Sequence, residues 1–442
     1  ILAGLLPFEE EMCKAERMYR DGLLPKRICH CDTKVNNMLF DADGNVLCVI
    51  DLDTLMPSFV FSDYGDFLRT AANTVAEDDP KGTPRKEHFQ ITVASELMAI
   101  LCLCKDPDDF RRRINNIIVA FDLDGNPIRL EKFRISNAIM KLMKEALKVN
   151  LVQTAENNPA LIHGGPFANI AHGCNSLLAT RLALKMSPLV ITEAGFASDL
   201  GAEKFLDIAC KEGDLHPDAC VLVATIRALK MHGGQAFEDL GNENPVALEK
   251  GLANLDAHYR NLSQYGLPIV VAINHFASDS EKEIELLRGY CESKGYIVAF
   301  LDGFAKGGEG SKELAEAVWE TINERPSSYH PLYDLGAPLK QKIESIAKNV
   351  YGADGVEYTE EAEKQLAEYD ELGFSDAYIC VAKTPQSLSD DPTLLGVPKG
   401  FNLHVREVRL SAGANFVIPL SGAILTMPGL PKLPAAVKME DA

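Results

Sequence analysis

The stretch VATIRALKMHGG (residues 223–234) joins the end of a long apolar run to a polar segment that closes on two glycines. The run itself, residues 218–226, consists mainly of Val, Leu, Ala and Ile, which predicts a parallel strand buried on both faces. A Lys, a His and the glycines follow, so we expect positive charge and free backbone N–H groups at the carboxyl edge of the sheet, where open α/β sheets bind ligands. An ordinary strand-to-loop exit would look similar. Two further Gly-rich stretches, residues 163–176 and 192–205, favour the ligand site.

Strand-like and helix-like segments alternate over most of the chain. The predicted strands are residues 115–121, 189–192, 218–226, 268–274 and 296–302, and the predicted helices are residues 137–147, 201–210, 281–295 and 311–325. This alternation predicts an α/β fold, with a mostly parallel sheet and helices on both faces. The later segments 378–392 and 404–422 are richer in β-branched residues and turns, which indicates a smaller C-terminal α+β subdomain with a hairpin.

Composition limits the class of protein. The chain has 442 residues, 46% hydrophobic and 24% charged, enough for two or three globular domains. A net charge of −20 argues against binding to nucleic acid or anionic membranes. No apolar stretch is long enough to span a bilayer and no signal segment opens the chain, so we expect a cytoplasmic protein. The eleven cysteines form no C-x-x-C pair and are expected to be reduced thiols.

The N-terminal segment contains a spacing that is typical of phosphoryl transfer. His30, Asp32 and Asn37 follow an H-x-D-x-x-x-x-N pattern, and Asp51 lies on the next apolar run. In such a pattern the first Asp is the catalytic base, while the Asn and the later Asp hold Mg²⁺ against ATP phosphates. A hairpin with polar loops is the simpler alternative. Together with SDYGDFLRTAANT (residues 62–74), the segment resembles the C-terminal lobe of aminoglycoside phosphotransferase-like sugar kinases, closest to the N-acetylhexosamine 1-kinase type.

That kinase resemblance covers residues 1 to about 80 and no more. Neither a Gly-rich loop nor a strand Lys with its partner Glu precedes it in this sequence, so we expect only part of a kinase-like lobe, unable to clamp ATP alone.

From about residue 82 to residue 442 the chain resembles formate–tetrahydrofolate ligase, on the three Gly-rich stretches quoted above. The resemblance implies ATP-dependent formation of 10-formyltetrahydrofolate through formyl phosphate, with Mg²⁺, formate and tetrahydrofolate, a monovalent cation and a homotetramer. Carried over by position, Phe276 and Phe304 stack on the pterin ring, and Phe196 lines the same pocket. The family usually has Trp at position 304 and Gly at position 197, where this chain has Ala.

The phosphate-binding part of that family is not recognisable here. No G-x-x-x-x-G-K-[ST] sequence occurs, and the Gly-rich residues 303–312 have Glu309 where the Lys would stand. Arg227, Lys230 and Lys306 are the candidate cations for substrate anions, with ion pairing to the protein as the alternative. We therefore expect an incomplete P-loop NTPase-like sheet and impaired ligation.

The sequence predicts three parts: residues 1–80 as a kinase-like fragment, residues 82–330 as the ligase α/β core and residues 331–442 as its C-terminal subdomain. The breaker-rich EDDPKGTPR (residues 77–85) marks the junction, which we interpret as a misassembled reading frame. Two other functions stay open, a sugar kinase acting through Asp32, Asn37 and Asp51, and a non-catalytic folate-binding protein.

Overall fold

Residues 92–424 form the continuous part of the chain that the computed structural model describes; before them it describes four short strands. By its internal contacts the chain divides into two units, Val93–Thr426 and a second unit made of Ile1–Thr92 with Met427–Ala442. In the second unit, two antiparallel pairs are described, one formed by Arg27–Cys29 (β1) and Met56–Ser58 (β4) and the other by Met38–Phe40 (β2) and Val46–Val49 (β3).

The remaining elements belong to the unit Val93–Thr426. Its strands are Ile118–Phe121 (β5), Pro127–Arg129 (β6), Asn150–Gln153 (β7), Pro159–Ile162 (β8), Cys220–Ala224 (β9), Ile269–Asn274 (β10), Ile297–Leu301 (β11), Gly355–Tyr358 (β12), Tyr378–Ile379 (β13), Asn402–Ser411 (β14) and Phe416–Ser421 (β15). Its helices of seven or more residues are Glu96–Leu103 (α1), Pro107–Asn116 (α2), Ser136–Leu142 (α3), Leu177–Met186 (α4), Ile226–His232 (α5), Pro245–Ser263 (α6), Glu281–Ser293 (α7), Lys312–Glu324 (α8), Leu339–Ile346 (α9) and Glu360–Glu371 (α10).

The central sheet is parallel, in the order β11-β10-β9. The helices α6 and α7 pack on one face, where Val271 and Ile273 of β10 join a buried cluster with Leu252 and Leu287 of those helices. The helix α8 contacts β10 and β11 and covers the other face, on which Val270 and Ala272 point away from that cluster. The predicted α/β class with helices on both faces is therefore confirmed.

The sequence predicted that β9 is buried on both faces, but one face of this edge strand is partly exposed. Its Val221 and Val223 side chains are 36% and 54% exposed, whereas their neighbours across the strand pair, Val270 and Ala272, are fully buried. The helix α8 contacts β10 and β11, and no helix among residues 92–424 covers this face of β9 in the same way. Sequence alone suggested a central strand because an apolar run does not reveal whether a neighbour covers it.

The second sheet is mixed, in the order β12-β14-β15-β13, and contains the predicted C-terminal hairpin as the antiparallel pair β14 and β15. Helices α9 and α10 pack on it, burying Ile343 and Leu366 with Leu403 and Val417 of the strands. The predicted hairpin is therefore present, while a separate C-terminal subdomain stays a prediction.

Three local predictions were wrong in detail. Residues 189–192 are not a strand, and the predicted helix 137–147 is regular only over α3. The segment after Thr225 continues as α5, because the Thr225 side chain accepts a hydrogen bond from the backbone N–H of Ala228 and caps a new helix. Lys230 and His232 therefore lie on a helix and not on a strand-end loop.

Two expectations from the sequence, free cysteines and the absence of a membrane-spanning helix, can be examined over residues 92–424. The seven cysteines of this range are free thiols, and Cys102 and Cys104 are completely buried. Within the same range, no helix is both long and apolar enough to cross a bilayer.

Candidate functional site

Two loops meet at the carboxyl edge of the parallel sheet, one after β10 and one after β11. The backbone N–H of His275 donates to the carbonyl oxygen of Leu301 at 2.9 Å. The His275 Nδ1 lies 3.1 Å from Asp302 Oδ1. These contacts join the loop that carries Phe276, the next residue after His275, to the segment that carries Phe304, which lies in the short helix Gly303–Lys306.

Each loop is fixed by a carboxylate. Asp279 accepts the backbone N–H of Phe276 at 2.8 Å, and α7 begins immediately afterwards with a capping box. On the other loop, Asp302 forms an ion pair with Lys306 at 2.9 Å. The Lys306 ammonium and the His275 ring lower the pKa of Asp302, which therefore stays ionised and holds both of them. The backbone that carries the two rings is thus held in place without a ligand.

The aromatic side chains predicted for folate binding are on the surface and not in the core. The Phe304 side chain is 101% exposed and that of Phe276 is 39% exposed, while Phe196 is 58% exposed. The guanidinium carbon of Arg227, on α5, lies 5.5 Å from the centre of the Phe276 ring, which is a cation–π contact. The carboxyl ends of β9, β10 and β11 therefore present two rings and one cation.

The three candidate cations have different surroundings. Lys230 is 1% exposed and forms an ion pair with Glu283 at 3.0 Å, a contact that ties α5 to α7. Burial alone would raise the pKa of Glu283, but hydrogen bonds from the Asn244 N–H and Lys230 outweigh it and lower that pKa. Lys306 is held by Asp302. Arg227 has no carboxylate partner among residues 92–424, so it is the one of these three cations whose charge is not paired within that range.

The Gly-rich residues 303–312 are already engaged by the protein. The backbone N–H of Gly308 donates to Glu156 Oε1 at 2.6 Å, and Lys312 forms an ion pair with Glu309 at 2.7 Å. The N–H of Asp302 donates to the Gly310 carbonyl at 2.9 Å. The Gly308 amide, Lys306 and Lys312 therefore already have partners within the protein, unlike the amides and the Lys that cradle a phosphate in a P-loop.

Phe196 precedes a buried polar network that sequence analysis did not find. Ser198 Oγ lies 2.5 Å from His258 Nδ1, and Asp199 forms an ion pair with Lys383 at 2.7 Å. Both members of that pair are at most 4% exposed. Burial alone would raise the pKa of Asp199, but the charges of Lys383 and His258 outweigh it and lower that pKa. Because Asp199 and Lys383 are far apart in sequence, no local pattern predicts their pairing.

Ala197, where the resemblance described above implies Gly, adopts a left-handed backbone conformation, with φ of 64°. A Cβ strains this conformation by about 1 kcal/mol, so Ala197→Gly should stabilise the protein by about 0.5 to 1 kcal/mol. Urea denaturation measures the change. Ala202→Gly, at the end of the same π-helical segment (Ala197–Ala202), is the control and should destabilise by a similar amount. Equal destabilisation by both substitutions would contradict the argument.

The described part of the chain contains His, Cys, Asp and Glu, the residue types that bind metals. Between residues 92 and 424, no three His, Cys, Asp or Glu side chains converge as a metal site requires. His163 Nδ1 lies 2.7 Å from Ser176 Oγ, and His232 Nδ1 accepts the N–H of Gly396 at 3.0 Å. The predicted kinase-type residues, the base Asp32 and the Mg²⁺ ligands Asn37 and Asp51, lie outside the described residues.

Comparison with known proteins adds the family. A model of the formate–tetrahydrofolate ligase family matches residues 34–441. The chain belongs to this family. Its members ligate formate to tetrahydrofolate at the expense of ATP, with Mg²⁺, in one-carbon metabolism. The match begins within the segment that the sequence compared with sugar kinases, and the kinase interpretation stays a prediction.

Proposed function

We propose that this chain binds tetrahydrofolate with the pterin ring against Phe276 and Phe304, and with Phe196 lining the same pocket. The exposure of Phe304 supports this proposal most directly. A ring that is fully exposed on the short helix Gly303–Lys306, which follows Asp302, is not explained by packing, whereas a flat heteroaromatic ligand would bury it. Phenylalanine in place of the family's Trp offers a smaller face and no indole N–H.

Arg227 has a second role in this proposal. Its guanidinium lies over Phe276 without a carboxylate partner among residues 92–424, so it can donate hydrogen bonds to an oxygen of the ligand while keeping its contact with the ring. Attack of the folate nitrogen on an activated formyl group needs the two reactants held in one orientation. Arg227 and the two rings would supply that orientation at the sheet edge. Lys230, which is held by Glu283, would support α5 from within.

We further propose that a chain of these 442 residues is impaired in the ATP-dependent step. It contains no G-x-x-x-x-G-K-[ST] sequence, and the amide of Gly308 in its Gly-rich segment already donates to Glu156. Phosphoryl transfer to formate depends on electrostatic clamping of the phosphates, for which residues 92–424 offer no evident substitute. Folate binding without efficient turnover is the expected behaviour.

The division into residues 1–80, 82–330 and 331–442, the monovalent cation and the homotetramer remain part of this proposal. The sugar kinase function remains a separate prediction that rests on Asp32, Asn37 and Asp51.

The folate slot is tested by titrating the full chain with tetrahydrofolate in a calorimeter. Stacking is worth about 0.5 to 1.5 kcal/mol for each aromatic pair, so Phe304→Ala should weaken binding roughly 3- to 15-fold. Phe304→Trp should bind equally well or more tightly, because the indole offers a larger face.

Phe133→Ala is the matched control, since Phe133 is also a partly exposed ring, at 47%, but lies far in sequence from the strand-end loops. Its affinity should equal that of the unmodified chain. Absence of binding heat, or the same affinity in Phe276→Ala, Phe304→Ala and Phe133→Ala, would refute the slot.

A further inference from the structure

A cleft of about 460 Å³ lies among α2, the segment that follows α10 and the turn between β14 and β15. None of its lining residues belongs to the strand-end loops of the folate site. Three of them are arginines, Arg112, Arg113 and Arg129, and one is a carboxylate, Glu212, so the lining carries a net charge of 3 − 1 = +2. In a chain with a net charge of −20, this is a local reversal of sign.

Arg113 is the fixed member of this group. It is 7% exposed and contacts Asp109 at 3.2 Å and Glu212 at 2.8 Å. Glu212 is also paired with Lys105 at 2.8 Å and accepts the hydroxyl of Tyr378 at 3.2 Å. With Lys105 and Asp109 counted as well, the group has four positive and two negative charges, so its net charge is still +2.

Arg112 and Arg129 are the two arginines whose guanidinium N–H groups are not all used in contacts with the protein. The Arg112 side chain is 70% exposed and shares Asp109 with Arg113. Arg129 has no carboxylate partner among residues 92–424; its Nη1 donates to the carbonyl oxygen of Asn116 at 3.1 Å. Its guanidinium carbon lies 5.8 Å from the centre of the Phe374 ring, which orients the group. An oriented planar guanidinium offers paired N–H donors that fit two oxygens of one oxyanion.

We propose that this cleft binds a phosphate group, either free or within a small phosphate ester, with Arg112 and Arg129 as its ligands. The net charge of the lining matches the two negative charges of a phosphate group, whereas a single carboxylate would neutralise only one positive charge. Arg113 contributes fixed charge and shape. The volume is in the range of small-molecule sites, so a phosphate ester fits as well as the free ion.

The test is calorimetric titration of the full chain at low ionic strength with inorganic phosphate and, separately, with ADP. Arg112→Gln and Arg129→Gln should each weaken binding at least about fivefold, because each removes a charge-assisted hydrogen bond. Arg111→Gln is the matched control: Arg111 is on the same helix but contacts Asn137, outside the cleft, and its loss should leave the affinity unchanged. Thermal melts establish that each variant is folded.

Each outcome supports or overturns the site. Binding of phosphate that depends on Arg112 and Arg129 supports a site for the free ion, and the same dependence for ADP alone supports a site for an ester. The proposal is overturned if neither probe binds, or if Arg111→Gln weakens binding as much as Arg112→Gln, which would indicate a diffuse charge effect. Tetrahydrofolate affinity should be unchanged in Arg112→Gln, so the result for this cleft is independent of the result for the proposed folate site.

Discussion

A purified chain of these 442 residues should form no measurable 10-formyltetrahydrofolate from formate, ATP and tetrahydrofolate. The phosphate clamp of a phosphoryl transfer contributes on the order of several kcal/mol to transition-state stabilisation, so its loss lowers the rate by roughly three orders of magnitude or more. A coupled absorbance assay measures product formation, and tetrahydrofolate titration of the same sample establishes that the protein is folded and binds its ligand.

The variant Lys306→Ala tests whether the Gly-rich residues 303–312 contribute to any turnover that appears. If turnover at the rate of a complete family member appears, the proposed impairment is wrong. If Lys306→Ala then abolishes it, the Gly-rich residues 303–312 take part in phosphate binding. Release of the Gly308 amide by Glu156→Ala, which removes the acceptor, should not restore turnover, because no free Lys accompanies it.

The second large effect is expected from the buried ion pair of Asp199 and Lys383. Lys383→Met should lower the free energy of unfolding by about 3 to 5 kcal/mol, because it leaves Asp199 charged and buried without its partner. The double variant Asp199→Asn with Lys383→Met should recover much of that loss, since no unpaired charge remains. Urea denaturation at neutral pH measures both.

Lys348→Met is the control for the loss of an ion pair as such. Lys348 and Glu344 are 2.6 Å apart but both about half exposed, so the substitution should cost less than about 1 kcal/mol. In the unmodified chain, the lowered pKa of Asp199 means that its contribution is present above the unfolded value of 3.8 and is lost as the pH falls through the folded value. A cost below about 1 kcal/mol for Lys383→Met would show that the pair is relaxed or hydrated.

Much of the fold follows from local pattern. The strands β10 and β11 and the helices α7 and α8 were predicted close to their observed bounds, since each has an unbroken apolar run or a clear amphipathic period. The prediction failed for residues 189–192, which are apolar and β-branched but form no strand. β-propensity describes how a side chain fits a sheet surface, and a four-residue segment without a neighbouring strand gains nothing from it.

For the candidate site, the sequence by itself determined which residues follow the strand ends, because strand ends and loops are properties of local pattern. Phe276, Phe304 and Arg227 were named on that basis and from the family resemblance, and their roles remain proposals. Only the tertiary structure decided their surroundings. Lys230 forms an ion pair with Glu283, Arg227 lies over the Phe276 ring, and Asp199 forms an ion pair with Lys383. The physical reason is that the charge available to a ligand depends on partners brought together by packing of distant segments, and sequence spacing contains no information on that distance.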